Sequence, residues 1–332
     1  MISKIIHIRG TVQGVGFRPF VFSTAKKYNI TGWVRNSSAG VEILANGTPQ
    51  EIKVFITEVK TNPPPLAKID TFVESENYSN GYKDFKILQS QIIPGEFIPI
   101  SPDVAICSEC QKELFDPTNN RYRYPFINCT NCGPRLTIIK GIPYDRPNTT
   151  MAEFTLCDRC QAEYDNPLNR RFHAQPVACP DCGPQVWFES LTTGSEKREK
   201  GIQRARQFLR DGKIIAIKGL GGFHLACDAL NQEAVSKLRH RKKRSDKPFA
   251  TMVFDMETVK KYCLINNAEE TIMGSYEHPI VILPTKKGMH VPKQVAPKMR
   301  TLGVMLAYTP LHLLILEPEN DYPDLFVMTS GN

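Results

Sequence analysis

The first third of the chain shows two hydrophobic periods in turn. Residues 4–11 alternate apolar and polar side chains, which predicts a strand, and residues 17–28 carry apolar side chains at helical spacing. Residues 33–36 and 41–45 predict two strands joined as a hairpin. A second helix follows, and one of its faces is marked by Ile52, Phe55, Ile56 and Val59.

The proline triplet at positions 63–65 ends this second helix, because proline cannot continue a helix. Residues 68–73 and 84–88 offer further strand material before a polar linker. The predicted order is therefore βαββαβ, which is typical of a ferredoxin-like sandwich. We expect this sandwich to form a domain over residues 1–91 of an α+β multidomain chain.

A glycine-rich turn lies between the first strand and the first helix. Gly14 and Gly16 allow backbone N–H groups to converge on one point, and Arg18 adds a guanidinium at the start of the helix. The arrangement predicts an anion site, although a lone glycine-rich turn is equally typical of a plain tight connection.

Cysteine spacing gives the strongest signal in the chain. Eight of the ten cysteines form four C-x2-C pairs: Cys107/Cys110, Cys129/Cys132, Cys157/Cys160 and Cys179/Cys182. A shift of 50 residues superimposes residues 107–134 on residues 157–184, which indicates an internal duplication within residues 92–190. Each copy, 107–132 and 157–182, is predicted to bind one structural zinc ion through four thiolates.

Other interpretations of the cysteines stay open at this point. The spacing does not decide whether each zinc ion takes its ligands from one copy or from both. Disulfide bonds are rare in the cytoplasm, and iron–sulfur ligation does not call for a duplicated set. His173 stands where the first copy has Arg123, so we predict a packing or surface role for it. Cys227 and Cys263 have no pairing pattern and are expected to be buried thiols.

Residues 198–332 predict an α/β domain. Apolar residues recur at helical spacing over 201–210, and an apolar strand over 213–218 enters a glycine-rich turn at 219–222. This turn matches neither the phosphate-binding loop of mononucleotide enzymes nor the dinucleotide fingerprint.

The strings at 12–18, VQGVGFR, and 32–36, GWVRN, resemble the two halves of the acylphosphatase signature. The resemblance implies that Asn36 orients an attacking water. It also implies a phosphoryl site formed by Arg18 and the loop residues Gln13, Gly14, Val15, Gly16 and Phe17. Alone, Arg18 would be a surface ion pair and Asn36 a turn residue, but their places in two matched motifs favour catalysis by positioning and charge stabilisation.

The basic run at 238–250 and the terminal TSGN at 329–332 resemble the YrdC-like family, which binds ATP and forms carbamoyl adenylates. The resemblance implies that Lys242, Arg244 and Lys247 meet phosphates of ATP or carbamoyl phosphate. It also implies that Ser330 and Asn332 offer hydrogen bonds to the adenylate. Without the terminal motif, the basic run would be interpreted as a solvated helix face.

The paired cysteine repeats behind an acylphosphatase-like domain are together similar to the HypF family of hydrogenase-maturation carbamoyltransferases. The resemblance implies that carbamoyl phosphate and ATP are the substrates, with Mg²⁺ accompanying ATP. It also implies two structural zinc ions as cofactors. It also implies HypE as the protein partner, whose C-terminal cysteine is carbamoylated to give the cyanide ligand of nickel–iron hydrogenase. Because members of the family continue into a transfer domain, we expect this chain to be a front part with an incomplete YrdC-like domain.

Composition limits the alternatives. No apolar stretch approaches the ~20 residues that cross a bilayer, and the N-terminus lacks a signal peptide, so a cytoplasmic protein without a membrane partner is expected. The net charge of +8 falls once the paired cysteines bind as thiolates, and neither repeat carries a base-reading helix, which argues against nucleic acid. A zinc-containing RNA-binding or tRNA-modification protein and a non-catalytic scaffold remain the alternatives.

Overall fold

The computed structural model describes residues 1–78, 81–97, 99–192 and 194–331. They form two compact units. The first comprises Met1–Asp103 and Asn128–Gly183, and the second comprises Val104–Ile127 and Pro184–Asn332. Asn332, which the YrdC-like resemblance assigned to the adenylate, lies outside the described residues.

The first unit is built on a five-stranded sheet with the order β4-β1-β3-β2-β5. The strands are β1 (Ile2–Thr11), β2 (Thr31–Ser37), β3 (Gly40–Gly47), β4 (Lys68–Asn77) and β5 (Phe85–Ile87). Two helices cross it, α1 (Phe17–Lys27) and α2 (Pro49–Thr61). The first four strands follow the predicted ferredoxin-like arrangement, whereas β5 is a fifth strand that runs parallel to β2.

The sheet buries alternate residues against the two helices. Ile6 and Ile8 on β1 are fully buried, and all four apolar residues predicted for one face of α2 are buried in the same core. Phe55 packs there against Phe85, with the ring centroids 6.5 Å apart. The helical period of α2 therefore fixes which of its faces meets the sheet.

The two cysteine repeats adopt matching local structures. Helix α3 (Ser108–Phe115) begins directly after Cys107, and α4 (Asp158–Asp165) begins directly after Cys157. Arg123 and His173, at equivalent positions, both have positive φ angles, 55° and 53°. The backbone N–H of Arg123 bonds to Leu114 and that of His173 bonds to Tyr164, so the duplication seen in the sequence extends to the backbone.

The second unit contains a six-stranded mixed sheet with the order β11-β12-β10-β13-β9-β8 and a separate β6-β7 hairpin. The strands are β6 (Trp187–Ser190), β7 (Gly194–Lys197), β8 (Ile215–Lys218), β9 (Phe223–Asp228), β10 (Ala250–Val253), β11 (Val281–Pro284), β12 (Thr301–Leu306) and β13 (Phe326–Ser330). The helices are α5 (Arg198–Arg210), α6 (Gln232–Arg241), α7 (Met256–Tyr262), α8 (Asn267–Met273) and α9 (Pro310–Leu316).

The glycine-rich turn at 219–222 joins β8 to β9 as an antiparallel hairpin, closed by a hydrogen bond from the Gly219 N–H to the Gly222 carbonyl. Strand β13 then pairs with β9, which brings Ser330 opposite His224. In the part of the chain that the structure describes, no helix is both long and apolar enough to cross a membrane. The predicted α+β class, with two cysteine modules between mixed α/β parts, is confirmed.

We predict that Thr48→Ala lowers the free energy of unfolding by ~1 kcal/mol. The Thr48 hydroxyl accepts the Glu51 N–H at 3.3 Å and the Glu51 carboxylate accepts the Thr48 N–H at 2.8 Å, so the substitution opens the capping box of α2. Urea unfolding is followed by Trp33 fluorescence in a Trp187→Phe background. Thr57→Ala, in the exposed middle of α2, is the control, and an equal loss in both variants would contradict the prediction.

Candidate functional site

The turn between β1 and α1 is shaped by two left-handed glycines. Gly14 and Gly16 have φ angles of 72° and 75°, and Gly16 is the residue before the first residue of α1. The first N–H groups of a helix have no acceptor within that helix, so they are free to bind an anion. The anion site predicted for this turn, here called the cradle (residues 12–18), therefore offers backbone N–H groups, while the side chains of Val15 and Phe17 are buried in the core.

Gln13 holds the cradle to its surroundings. Its side-chain amide donates to the carbonyls of Ser37 at 2.7 Å and Gly40 at 3.0 Å, on the turn between β2 and β3. Its side-chain oxygen accepts the N–H of Tyr144 at 3.1 Å. Because these side-chain atoms are already bonded, the side chain of Gln13 fixes the turn in place.

Arg18 lies at the start of α1 with only 9% of its side chain exposed. Its Nη2 donates to Asp145 Oδ1 at 2.6 Å and its Nη1 to Ser90 Oγ at 3.3 Å. Asp145 comes from the segment between the two cysteine repeats. Arg18, which was predicted to bind a phosphoryl group, is thus paired with a carboxylate that the sequence motifs did not indicate. The pairing aligns the guanidinium and offsets part of its charge.

Asn36 lies on β2 and is 1% exposed. Its backbone carbonyl accepts the N–H of Gln91 at 2.9 Å, but its side-chain oxygen Oδ1 is buried without a hydrogen-bond partner. A buried acceptor left unpaired costs free energy, so Asn36 Oδ1 is able to accept a hydrogen bond from a group that enters the pocket.

One pocket brings Arg18 and Asn36 together. It encloses about 370 Å³ of empty space, part of it open to solvent. Residues 12–14 and 16–19 line it together with Asn36, and the remaining lining residues come from positions 129–176. The latter are Cys129, Thr130, Arg135, Tyr144, His173, Ala174, Gln175 and Pro176. Arg18 and Asn36 of the two motifs thus line the same pocket, and its other wall comes from a part of the chain for which only metal binding was predicted.

Two titratable groups in this pocket are held neutral. Burial, followed by the positive charge of Arg18, lowers the pKa of His173 to about 4. Burial raises the pKa of Tyr144 to about 12. His173 Nδ1 is buried without a partner, and the ring lies 4.7 Å from that of Phe172 and 4.9 Å from that of Tyr164. His173 thus packs against aromatic rings, as the predicted packing role implies, and it also lines the pocket, which was not predicted.

The eight paired cysteines gather into two sets. Within each set, one made by Cys107, Cys110, Cys129 and Cys132 and the other by Cys157, Cys160, Cys179 and Cys182, the sulfur atoms lie within 4.8 Å of one another. Each set can hold one metal ion with four sulfur ligands, and each takes its ligands from a single copy. This settles the pairing that the spacing left open, and His173 belongs to neither set.

A second group of predicted residues meets in the second unit. Lys242 Nζ donates to the carbonyl of Ser330 at 2.9 Å, and Arg244 Nη1 lies 3.5 Å from Thr329 Oγ1. Lys247 contributes its backbone carbonyl, which accepts Arg244 Nε at 2.9 Å. Lys242 and Arg244 of the basic run are therefore neighbours of Ser330 and Thr329 in the terminal motif.

Arg239, which the sequence did not single out, shapes this basic loop. Its guanidinium donates to the carbonyls of Arg244 and Ser245 at 3.1 Å and of Lys247 at 3.2 Å. It also stacks on Phe249 at 4.6 Å. Cys227 and Cys263 are buried thiols, as expected, and burial raises the pKa of Cys227 to about 12 and that of Cys263 to about 11.

Three known families match separate parts of the chain. The acylphosphatase family matches residues 4–87, a family described as HypF finger matches 106–139 and 156–189, and one described as telomere recombination, with Sua5, YciO and YrdC as members, matches 207–332.

Longer relatives match nearly the whole chain. Carbamoyltransferase HypF of Synechocystis is 48% identical over 329 residues, which cover 98% of this chain and 42% of the relative. The probable carbamoyltransferase HypF of Methanocaldococcus jannaschii is 45% identical over 335 residues, with the same coverage of 98% and 42%. A crystal structure of full-length HypF in a phosphate- and nucleotide-bound form superimposes with a TM-score of 0.93 at 50% identity, covering 100% of this chain and 43% of that one.

We predict that His173 stays neutral well below pH 6, because burial and Arg18 both oppose its protonation. Its folded pKa of about 4 lies below the unfolded value, so the stability that comes from burying neutral His173 is complete above pH ~6.5 and is lost as the pH falls towards 4. Histidine-labelled NMR, with the resonance assigned by its loss in His173→Gln, measures the midpoint. A midpoint near 6.5 would refute this.

Proposed function

Because the chain belongs to the HypF family of carbamoyltransferases, we propose that it performs the early steps of carbamoyl transfer. The first step is hydrolysis of carbamoyl phosphate in the pocket of Arg18 and Asn36, and the second is activation of the carbamate by ATP at Lys242, Arg244, Lys247 and Ser330. The chain spans about 42% of the length of the curated relatives it matches. Delivery of the carbamoyl group to the C-terminal cysteine of HypE is proposed for the longer protein.

The observation that carries the first step is the unpaired, buried side-chain oxygen of Asn36 in the same pocket as the Arg18 guanidinium. Arg18 and the N–H groups of residues 14–18 bind the phosphoryl oxygens and stabilise the charge that grows on them. Asn36 Oδ1 accepts a hydrogen bond from water and orients that water towards phosphorus.

Attack of the water oxygen forms a new phosphorus–oxygen bond and breaks the bond to the carbamoyl oxygen, which leaves as carbamate with the electron pair. Both water protons stay on the phosphate, so carbamoyl phosphate and water give carbamate and dihydrogen phosphate. No side chain needs to become covalently attached. The neutral state of His173 and Tyr144 fits this scheme, because neither group has to give up or take a proton.

The second step rests on the basic loop held by Arg239 and on its contact with the end of β13. Lys242 and Arg244 would meet phosphate oxygens of ATP, with Mg²⁺ as the usual companion of the nucleotide. Carbamate oxygen would attack the α-phosphorus, releasing pyrophosphate and leaving carbamoyl adenylate. Ser330 lies beside Lys242 and offers its hydroxyl to the adenylate.

The two cysteine sets fit structural zinc. Each offers four sulfur atoms and thus fills all four tetrahedral positions, which leaves no site for substrate. Zinc would lock each repeat in its fold, since so short a segment cannot bury a large apolar core.

We predict that Arg18→Ala and Asn36→Ala each lower phosphate release from carbamoyl phosphate by about a hundredfold or more. Arg18→Ala also weakens the binding of inorganic phosphate, whereas Asn36→Ala leaves that binding largely intact because Asn36 orients water. Arg9→Ala removes an equal charge from an exposed position outside the pocket lining and serves as the control. Full activity in both pocket variants, shown to be folded by circular dichroism, would overturn the proposal.

We predict two zinc ions per chain by elemental analysis after purification and desalting. Cys110→Ala and Cys160→Ala each remove a buried ligand from one set and should each leave one zinc ion. Cys227→Ala, a buried thiol outside both sets, should keep two. If Cys110→Ala and Cys160→Ala both kept two zinc ions, the result would argue against these sites.

A further inference from the structure

The loop between Cys129 and Cys132 packs directly on the phosphate cradle. A Cβ atom added to Gly16 would lie 2.9 Å from Thr130 Cγ2 and 3.4 Å from Asn131 Oδ1. The absence of a side chain at Gly16 thus serves two purposes, since it permits the positive φ angle and leaves room for the cysteine loop.

Arg135 makes a second connection between the same two elements. Its Nε donates to the carbonyl of Gly14 at 2.8 Å, on the cradle. Its other nitrogens donate to carbonyls of the cysteine loop and its exit: Nη2 to Thr130 at 2.8 Å, and Nη1 to Gly133 at 2.8 Å and to Cys132. The residue is 2% exposed, so these bonds form in the interior. A single guanidinium therefore spans from the cradle to the backbone of a metal ligand.

The charge of Arg135 is well placed to act on an anion. The acceptors of its guanidinium are neutral carbonyls, and Asp103 accepts the backbone N–H of Arg135, at 2.7 Å. Arg18, by contrast, shares its charge with Asp145. Arg135 lines the pocket, so it adds a buried positive charge there that neutral carbonyls do not cancel.

A metal ion bound by the first cysteine set would hold the cysteine loop in place. Cys129 Sγ and Cys132 Sγ lie 3.8 Å apart, and two thiolates at that distance repel each other without a cation between them. Movement of either cysteine would displace the carbonyls of Thr130, Cys132 and Gly133 that hold Arg135. Loss of the ion would thus release the restraint on the Gly14 carbonyl.

We propose that Arg135 is a positioning residue that couples the metal set of the first repeat to the cradle, so that zinc and phosphate each bind more tightly when the other is present. The proposal rests on the proposed function to the extent that the cradle binds a phosphoryl group. Because such coupling is reciprocal, it can be measured from either side.

The second repeat supplies a built-in comparison. The residue equivalent to Arg135 under the 50-residue shift is Gln185, whose side-chain oxygen accepts Arg198 Nε at 2.7 Å. Gln185 does not line the pocket. The link is therefore a property of the first copy and not a general feature of the repeat.

The test measures the affinity for inorganic phosphate by calorimetry with the zinc-loaded chain and three variants. Arg135→Gln and Cys107→Ala should bind at least about tenfold more weakly, the latter because it removes a metal ligand that does not line the pocket. Gln185→Ala should match the wild type. The coupling is overturned if the wild type and a folded Cys107→Ala chain that has lost the zinc ion of the first set bind phosphate with equal affinity.

A second measurement does not depend on any cysteine variant. Zinc release from the wild-type chain to a coloured chelator should slow several-fold in saturating phosphate, and this effect should vanish in Arg135→Gln. If the wild-type chain binds phosphate and hydrolyses carbamoyl phosphate but releases zinc at the same rate with and without phosphate, the coupling is overturned and the proposed hydrolysis stands. A zinc-loaded wild type that binds no phosphate overturns both this inference and the proposed hydrolysis.

Discussion

The folding of the cysteine-rich segment depends on giving buried guanidinium groups enough acceptors. Arg121 and Arg171, at equivalent positions of the two repeats, are 1% and 4% exposed, and Arg135 is 2% exposed. Arginine cannot lose its charge in the interior, so every N–H left without an acceptor would carry a large desolvation penalty. Backbone carbonyls of turns and of the cysteine loops supply these acceptors. Arg135 donates to four of them, and Arg171 Nε donates to the carbonyl of Asn128 at 3.1 Å. Metal ligands and charged side chains thus add to the buried apolar residues of this segment, such as Leu114 and Val177, and they fix its irregular backbone.

The same constraint explains how a small sandwich becomes part of a larger pocket. The cradle and Asn36 belong to the sheet and its helices, which are held by an ordinary apolar core. The opposite wall is made largely of turns, and the bonds of Arg135, Arg146 and Gln175 to main-chain atoms help to position it. Arg146, for example, donates to the carbonyls of Gln175, Val177 and Phe154.

The sequence was sufficient for features set by local period or by fixed ligand spacing. The strands and helices of the first sandwich, the buried face of α2 and both cysteine sets are all found as predicted. The pairing of β5 with β2 was not predictable, because a three-residue strand carries no signal for its partner. Asp145, Tyr144 and Arg135 were missed for a related reason, since they contact Arg18, Gln13 and Gly14 from loops more than a hundred residues along the chain. A signal did exist for Arg135, because it is a charged residue where the second copy has Gln185.

The left-handed position shared by Arg123 and His173 shows what the duplication makes possible. Both copies need a residue there that can turn the chain back onto its helix, and both meet that need with the same backbone hydrogen bond. The side chain is not constrained by this requirement. In one copy it forms ion pairs with Glu199 and Glu317, and in the other it becomes a neutral ring in the wall of a pocket. A repeated scaffold of this kind separates the backbone that must be kept from the side chains that are free to differ, so one fold serves for ion pairing in one place and for the wall of a pocket in another.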